Sequence, residues 1–580
     1  MSTQFEVAGK NAAALFSLKV YRGDGMALLA MNWRGAAKPP NDFVGFAIEY
    51  KEPNGDKFFA LKNRLAFPGA DEAINANTLS TKLSPIQKFR WVHFPRNAEL
   101  AGEFTYRVSP VFMNDANELS YGEPQEVAIE LSRETYPDQL NVTFTRGFVS
   151  SQAFVDKYGG DNGIPTLLPA KADSGLTFVP THPKAAEALA WMGFEARNAI
   201  IEVLDQALAD KDAEVRAVVY DLNEPGIVSR FEKLGKRLKI VIDDDGAHGK
   251  PESAETQATK RLKKSAGNDQ VKRQHMGKLQ HNKIIVVDGP KVQAAVCGST
   301  NHSWRGFFVQ NNNAIILRGK KPVKLFLAAF QAYWDNDNVA GFGKTDSARW
   351  NDLGLAGIDA QIGFSPRSKK NAVLAKIADD IAKNTTSSLF YSLAFLYQTR
   401  GPIQDAIKKL KKDNEIFSYG ISDHKVKGLE DADGVDVQRP DGTVSAIHAD
   451  ALKKNVPVPF KSEPTGGGGT RLHHKFVVID FNQPSARVYM GSYNFSGAAD
   501  TSNGENLLLI RDRRIAVSYA IEAVRLFDHY EFRVVRNAAK TSGNGKDLHL
   551  RRPPRKPGEK AWFAEDYTNV RKIRDRELFA

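Results

Sequence analysis

Two short stretches of this chain combine residue types that can perform chemistry. The first reads His281-Asn282-Lys283-Ile284-Ile285-Val286-Val287-Asp288 and the second His473-His474-Lys475-Phe476-Val477-Val478-Ile479-Asp480. Both fit H-x-K-x4-D, with four apolar residues between Lys and Asp. Such a run reads as a buried strand, and residues two apart on a strand share a face. Each copy therefore sets an imidazole beside a fixed ammonium. Imidazole serves as nucleophile or general acid near neutral pH, and the ammonium neutralises an anionic reaction centre.

A small-residue turn follows each copy: Gly298-Ser299-Thr300-Asn301, starting 17 residues after His281, and Gly491-Ser492-Tyr493-Asn494, starting 18 after His473. Asn301 and Asn494 can hydrogen-bond an anion, with Ser299 and Ser492 in support. Eleven residues beyond each Asn stands a further polar group, Asn312 in the first copy and Glu505 in the second. These are the candidates for orienting the imidazoles. Glu505 can serve His473 and Asn312 can serve His281; which reaches which ring is open at this point. A carboxylate favours imidazolium and a neutral amide does not. On that asymmetry His281 is expected to be neutral and nucleophilic, and His473 the protonated acid.

The neighbours of these motifs have plainer readings. Asp288 and Asp480 read as structural hydrogen-bonders at strand ends, and His474 as a residue of the opposite strand face. His302 reads as a turn residue, while Trp304, Phe307 and Phe308 suit either the core or an apolar rim. His275 and His448 have no counterparts in the other copy, and Gly466–Gly469 reads as a flexible loop.

The segments that must position the motifs recur in the same order. Residues 140–345 supply a helix at Asn198–Asp210 and strands at Val215–Tyr220, Leu238–Ile242, Ile284–Val287, Val292–Val296 and Ala314–Leu317. A charged insertion, 246–275, interrupts them, and a closing helix ends near residue 336. Residues 346–540 repeat the series with a helix at Asn371–Asn384. Its strands are Ser388–Phe395, Ile416–Gly420, Phe476–Ile479, Val488–Met490 and Leu507–Ile510, with an insertion at 424–465. This alternation predicts a duplicated α/β fold with parallel or mixed sheets. Residues 1–135 differ: short aromatic-rich runs separated by turns such as Pro53-Asn54-Gly55-Asp56 predict an all-β sandwich. Residues 541–580, with RRPPRKPG at their centre, predict a basic C-terminal tail or surface strap.

The chain has 580 residues and a formal charge of +12, so an anionic partner is expected. The single cysteine, Cys297, excludes an internal disulfide. No run approaches ~18 apolar residues and the N-terminus lacks the layout of a secretory signal, so the chain is expected to be soluble and cytoplasmic. No cluster at metal-ligand spacing is visible, and no cofactor is expected.

The paired motifs and turns resemble the phospholipase D superfamily across residues 140–540. The resemblance implies two lobes about a pseudo-twofold axis, and two-step displacement at a phosphodiester without metal. One histidine would form a phosphohistidine, and the other would protonate the leaving oxygen. The second copy keeps the family's Asn-x-Glu as Asn503-Gly504-Glu505, whereas the first has Gln310-Asn311-Asn312. Some active members, tyrosyl-DNA phosphodiesterases among them, place an amide there. The expected activity is hydrolysis of phospholipid headgroups to phosphatidate at a membrane surface. The alternatives are a nuclease or DNA-end-processing phosphodiesterase, or an inactive anion-binding scaffold. The N-terminal domain resembles fibronectin type III, with Trp33, Tyr106 and Val108 at its characteristic positions, and implies a protein-docking role.

Overall fold

The computed structural model describes residues 4–34, 38–68, 79–131, 134–147, 158, 160–411, 413, 415–422, 426, 429, 435–438, 444–447, 472–541 and 549–580. His448 and Gly466–Gly469 lie outside the described residues.

The first described strands are β1 (Glu6–Ala8), β2 (Phe16–Arg22), β3 (Ala27–Trp33), β4 (Phe43–Lys51), β5 (Phe59–Ala60), β6 (Arg90–His93), β7 (Glu103–Met113), β8 (Leu119–Tyr121) and β9 (Gln125–Glu130). They form one sheet in the order β1-β2-β3-β6 and a second in the order β5-β4-β7-β8, with β9 also on β7. Strand alternation explains how one core serves both: Leu18, Val20 and Leu29 from the first sheet meet Phe46, Ile48, Phe104 and Tyr106 from the second.

Beyond residue 139 the strands are β10 (Leu140–Phe144), β11 (Glu214–Val219), β12 (Leu238–Ile242), β13 (Val271–Arg273), β14 (Lys283–Asp288), β15 (Gln293–Gly298) and β16 (Asn313–Arg318). They form a sheet in the order β10-β16-β15-β14-β11-β12-β13. Next come β17 (Asn351–Asp352), β18 (Asp359–Ser365), β19 (Ser388–Leu393), β20 (Phe417–Ile421), β21 (Val435–Gln438), β22 (Val444–Ile447), β23 (Lys475–Ile479), β24 (Arg487–Gly491) and β25 (Glu505–Arg511). All but β21 and β22 form a second seven-stranded sheet, β17-β18-β25-β24-β23-β19-β20.

Six strands of each sheet correspond. The run β10-β16-β15-β14-β11 is antiparallel throughout and ends in the parallel pair β11·β12. The run β18-β25-β24-β23-β19 is likewise antiparallel and ends in the parallel pair β19·β20. The sheets are thus mixed and mainly antiparallel. The strands that open each half, β10 and β18, had no sequence assignment. The charged insertion 246–275 is ordered: Ser253 caps the helix Ala254–Ala266 by accepting from the Thr256 amide, and β13 extends the sheet edge.

Both central strands are buried on both faces. Ile284 and Val286 of β14 and Phe476 and Val478 of β23 join one core with the helices Lys320–Asp335 and Arg513–Thr541, so the two sheets share an apolar interior. Ile285 and Val287 face a separate core under the helix Ala185–Ala209. Val477 and Ile479 face the corresponding core under the helices Leu374–Asn384 and Pro402–Lys411.

The end of the chain is a strap rather than a solvated tail. Phe563 enters the core of the N-terminal sheets, and Phe579 packs against Phe390, Phe417 and Phe481. Each buried ring contributes about 1.5–3 kcal/mol toward the ordering of the charged segment around it. Arg90 of β6 ties strap to core through Asp575 and Asp528, both at 2.9 Å.

Candidate active site

β14 and β23 begin at Lys283 and Lys475, and His281 and His473 lie just ahead of them. The register is the same in both halves: Val219 pairs with Lys283 and Leu393 with Lys475. Each lysine ammonium donates to the carbonyl of its own histidine, Lys475 at 2.8 Å. The rings of His281 and His473 are brought together, with centroids 6.4 Å apart. Both side chains are almost wholly buried.

The turns between β15 and β16 and between β24 and β25 build the same device twice. Gly298 and Gly491 take φ of 127° and 151°, and a Cβ at either would meet the carbonyl of Asn313 or Asn506 at 2.6 or 2.2 Å. That close approach lets Ser299 Oγ accept from the Asn313 amide and Ser492 Oγ from the Asn506 amide, both at 3.0 Å. Each hydroxyl then donates to the orienter of its own half: Ser299 to Asn312 Oδ1 at 3.0 Å, and Ser492 to Glu505 Oε2 at 2.6 Å.

The orienters cross between the halves. Glu505 Oε2 lies 2.8 Å from His281 Nδ1, and Asn312 Oδ1 lies 2.8 Å from His473 Nδ1. The pairing that the sequence leaves open is thus Glu505 with His281 and Asn312 with His473. The backbone explains the exchange. Gln280 forms a parallel bridge with Gly504, and Leu472 with Asn311, so each histidine segment lies along the segment leading to the other half's orienter. The Gly504 amide donates to Leu279 O at 2.8 Å, and the His473 amide to Asn311 O at 3.1 Å.

Hydrogen-bond polarity fixes the ring tautomers. Asn312 Nδ2 donates to Gly306 O at 2.9 Å, so its Oδ1 must accept, and His473 Nδ1 must carry hydrogen. Glu505 likewise accepts from His281 Nδ1. In both rings Nε2 is therefore the nitrogen left for chemistry.

Burial lowers the pKa of His281, with Glu505 opposing and Lys283 and Lys475 reinforcing. The His473 pKa falls well below its ordinary value through burial, with Lys475, Lys283, His281 and Arg305 lowering it further. Burial brings Lys283 down to about 8 against Glu505, Asp221 and Asp243. At rest the site holds two neutral imidazoles beside ammonium groups, a setting ready for an anion.

Asn301 is buried, and Oδ1 of both Asn301 and Asn494 meets no protein partner among the described residues. Asp288 and Asp480 sit at the far ends of β14 and β23. Asp288 accepts from Gln293, and Asp480 accepts from the backbone amides of Thr386, Ser387 and Ser388. Seven residues of extended chain separate each from its histidine, about 23 Å, so neither touches the site.

His474 faces the shared interior and lies 2.9 Å from Glu522, which also pairs with Arg525. His275 pairs with Asp244 near the surface. Trp304, Phe307 and Phe308 are core residues and form no rim. His302 is buried beside them with both ring nitrogens unpartnered among the described residues, and burial lowers its pKa to about 3.

Sequence reasoning missed Tyr220, Asp221, Asp243, His248 and Glu255, which gather behind His281. The Tyr220 ring lies 4.8 Å from that of His281, with Lys283 Nζ 4.7 Å from its centroid. Ligand atoms of Asp221, His248 and Glu255 lie within 4.8 Å of one another. They are 34 residues apart along the chain, and the absence of a cluster in the sequence reflects that separation. The group has the donors for a cation; equally, a protonated His248 neutralises its carboxylates.

The protein-family model described as "Cardiolipin synthase, PLD-like domain" matches residues 190–334 and 385–526, which contain both motifs. A phospholipase D of Rickettsia felis is 45% identical over 47 residues, and that of Rickettsia prowazekii is also 45% identical over 47. These matches span 8% of this chain and about a fifth of each relative's length, 22% and 21%. Among solved structures, the phospholipase D family member Nuc from Salmonella typhimurium is 26% identical, covering 24% of this chain and 87% of its own, with a TM-score of 0.20. Phosphatidylserine synthase of Haemophilus influenzae is 12% identical, covering 67% and 93%, with a TM-score of 0.38. Yeast tyrosyl-DNA phosphodiesterase is 11% identical, covering 52% and 84%, with a TM-score of 0.28. Among the described residues no helix is long and apolar enough to cross a membrane.

Proposed function

Since the chain belongs to the phospholipase D superfamily, we propose that it is a metal-independent phosphodiesterase that hydrolyses phospholipid headgroup esters through a phosphohistidine. The carrying observation is the crossed pair: two imidazoles with centroids 6.4 Å apart, each held at Nδ1 by the opposite half. His281 Nε2 attacks phosphorus while the bond from phosphorus to the leaving oxygen breaks, and His473 Nε2 gives that oxygen its proton. His473 then takes a proton from water, whose oxygen attacks phosphorus and releases His281. Lys283, Lys475, Asn301 and Asn494 hold the non-bridging oxygens.

The crossed pairing supports His281 as nucleophile for a different reason from the one read in sequence. Attack at phosphorus leaves positive charge on the ring, and Glu505 at 2.8 Å from Nδ1 stabilises that charge. His473, held by a neutral amide among cations, parts readily with a proton. The substrate anion counters those cations, so His473 gains its proton as substrate binds.

A lipid substrate is supported by the names of similar proteins, phospholipase D and cardiolipin synthase. The +12 charge suits an anionic bilayer and a nucleic acid alike. In this reading the N-terminal β unit, with its resemblance to fibronectin type III, docks a protein partner.

The test is turnover of mixed phospholipid micelles against single- and double-stranded oligonucleotides, followed by alkaline quench. Lipid turnover with phosphorus trapped on the peptide containing Gln280–Lys283 supports the reading. Faster oligonucleotide cleavage, weakening linearly with salt in log–log form, replaces lipid by nucleic acid. Trapping on Leu472–Lys475 reverses the roles of the histidines, and no turnover of either class leaves an anion-binding scaffold.

A further inference from the structure

The insertion 246–275 brings one more histidine to the rear of the site. The turn Gly246–Gly249 ahead of the helix Ala254–Ala266 presents His248. Its Nδ1 lies 2.8 Å from Asp243 Oδ2, and its Nε2 lies 3.2 Å from Asp221 Oδ1 and 4.0 Å from Glu255 Oε1. A ring with a carboxylate at each nitrogen needs a hydrogen on both, which makes it an imidazolium. Burial opposes that charge, but the bonds to Asp221 and Asp243 outweigh burial and push the pKa up to about 11.

Two paths lead from this ring to His281. Tyr220 stands between them, its ring centroid 4.5 Å from that of His248 and 4.8 Å from that of His281. Asp243, fully buried, uses its other oxygen to accept the Gln280 amide at 2.6 Å, one residue before His281. In the second half Phe395 holds the place of the aromatic, its ring centroid 5.9 Å from that of His473 and 5.4 Å from Lys475 Nζ, but it carries no hydroxyl or carboxylate. The shared register sets Ala394 and Phe395 where the first half has Tyr220 and Asp221, and Ser422 where it has Ile242; the position matching Asp243, residue 423, lies outside the described residues. Among the described residues, the clamp of His248 between Asp221 and Asp243 stands on the His281 side.

We propose that His248 is a positioning residue for His281, locking Asp243 onto the Gln280 amide and Tyr220 onto the His281 ring. In catalytic terms this rests on the reading of His281 as the attacking group. An attacking nitrogen must be held within a fraction of an ångström of its line of approach, whereas a proton donor tolerates more.

The test uses the full chain with bis(p-nitrophenyl) phosphate as a generic phosphodiester, and nitrogen-edited NMR of the histidine rings without substrate. His248→Gln and Asp243→Asn should each lower kcat about tenfold or more with KM within twofold. The double variant should lose no more than either alone, because the two act as one unit. His248→Arg, which keeps a cation between the carboxylates, should recover part of the rate. His275→Gln, on the same insertion, should leave kcat unchanged. The His281 ring signals should move in His248→Gln while those of His473 stay.

A folded His248→Gln with kcat within twofold of the parent and unmoved His281 signals overturns the proposal, as do losses that multiply in the double variant. If His248→Gln does not fold, His248→Arg and Asp243→Asn decide by the same readouts. If the parent turns over no phosphodiester, the functional reading fails, and the NMR comparison alone decides whether His248 positions His281.

Discussion

Glu505→Gln isolates the charge of the crossed carboxylate, because the fold around it can absorb the amide. Glu505 Oε2 accepts from His281 Nδ1 at 2.8 Å and from Ser492 Oγ at 2.6 Å, and Oε1 accepts from Asn503 Nδ2 at 3.3 Å. A glutamine that keeps its oxygen toward His281 turns its NH2 toward Asn503. Asn503 Oδ1 is buried without a partner, so a flip of Asn503 converts a donor–donor clash into a hydrogen bond. The bond count is preserved, and removing a buried charge leaves stability unchanged or raised.

The loss falls on the step that places positive charge on His281. A hydrogen bond to a charged group is worth about 1.5–3 kcal/mol net against about 0.5–1.5 for a neutral one, so the exchange costs about 1–1.5 kcal/mol, or about 5- to 13-fold in rate. The Coulomb attraction at ~4 Å and an effective dielectric of ~20, about 4 kcal/mol, is the ceiling. The His281 pKa already lies below its ordinary value, and losing Glu505 lowers it further, so the acid limb of kcat/KM should move to lower pH. Rapid-quench measurement of phosphoenzyme formation checks the rate, and ring-nitrogen NMR checks the partner. A variant that perturbs the His473 signals and leaves those of His281 in place would refute the crossed arrangement. Full activity would refute the role given to the charge.

His281→Ala and His473→Ala should each remove most activity, and the double variant little more, since one turnover needs both; independent multiplication of the losses would separate them into two sites. Activity should survive EDTA, because Lys283 and Lys475 supply the positive charge; loss on chelation with recovery on adding a divalent ion would move the chemistry to Asp221, His248 and Glu255. In the free enzyme Lys283 loses its proton near pH 8, so kcat/KM should fall above that value, and Lys283→Arg should shift the limb upward. Protonated His248 stabilises the fold in full below its unfolded pKa of 6.5, and that contribution is lost as pH rises through about 11. The deficit in Tm of His248→Gln should therefore be largest below pH 6.5 and shrink toward pH 11.

The motif residues were legible because their constraints are local. Ile284–Val287 and Phe476–Ile479 are apolar on both strand faces, and the core on each side of β14 and β23 requires that. Gly298 and Gly491 mark a backbone conformation that other residues adopt only under strain, so their recurrence signals a repeated turn. β10 and β18 were not legible: Leu140-Asn141-Val142-Thr143-Phe144 is short and carries polar residues, and what makes it a strand is the edge of β16 waiting for it. The helix within the charged insertion 246–275 was not legible because it buries a narrow stripe, Ala258, Leu262 and Ala266, under a mainly polar surface.

The orienters were legible as residues but their pairing with the rings was not, and the cause is topological. Distance along the chain favours Glu505 for His473, 32 residues away, over His281, 224 residues away. Within a half, however, the serine of each turn already holds its own orienter, Ser492 on Glu505 and Ser299 on Asn312, and aims it outward. Only a ring from the other half can meet it there. Two copies of one sequence pattern thus complete each other, and neither half alone contains an oriented imidazole. That dependence explains how Asn312 and Glu505 can differ chemically within a repeated frame: each acts on the opposite copy, so a change in one half alters the histidine of the other. The amide in the first half therefore falls on His473, where a neutral partner suits a proton donor, and the carboxylate of the second falls on His281, where charge must be stabilised.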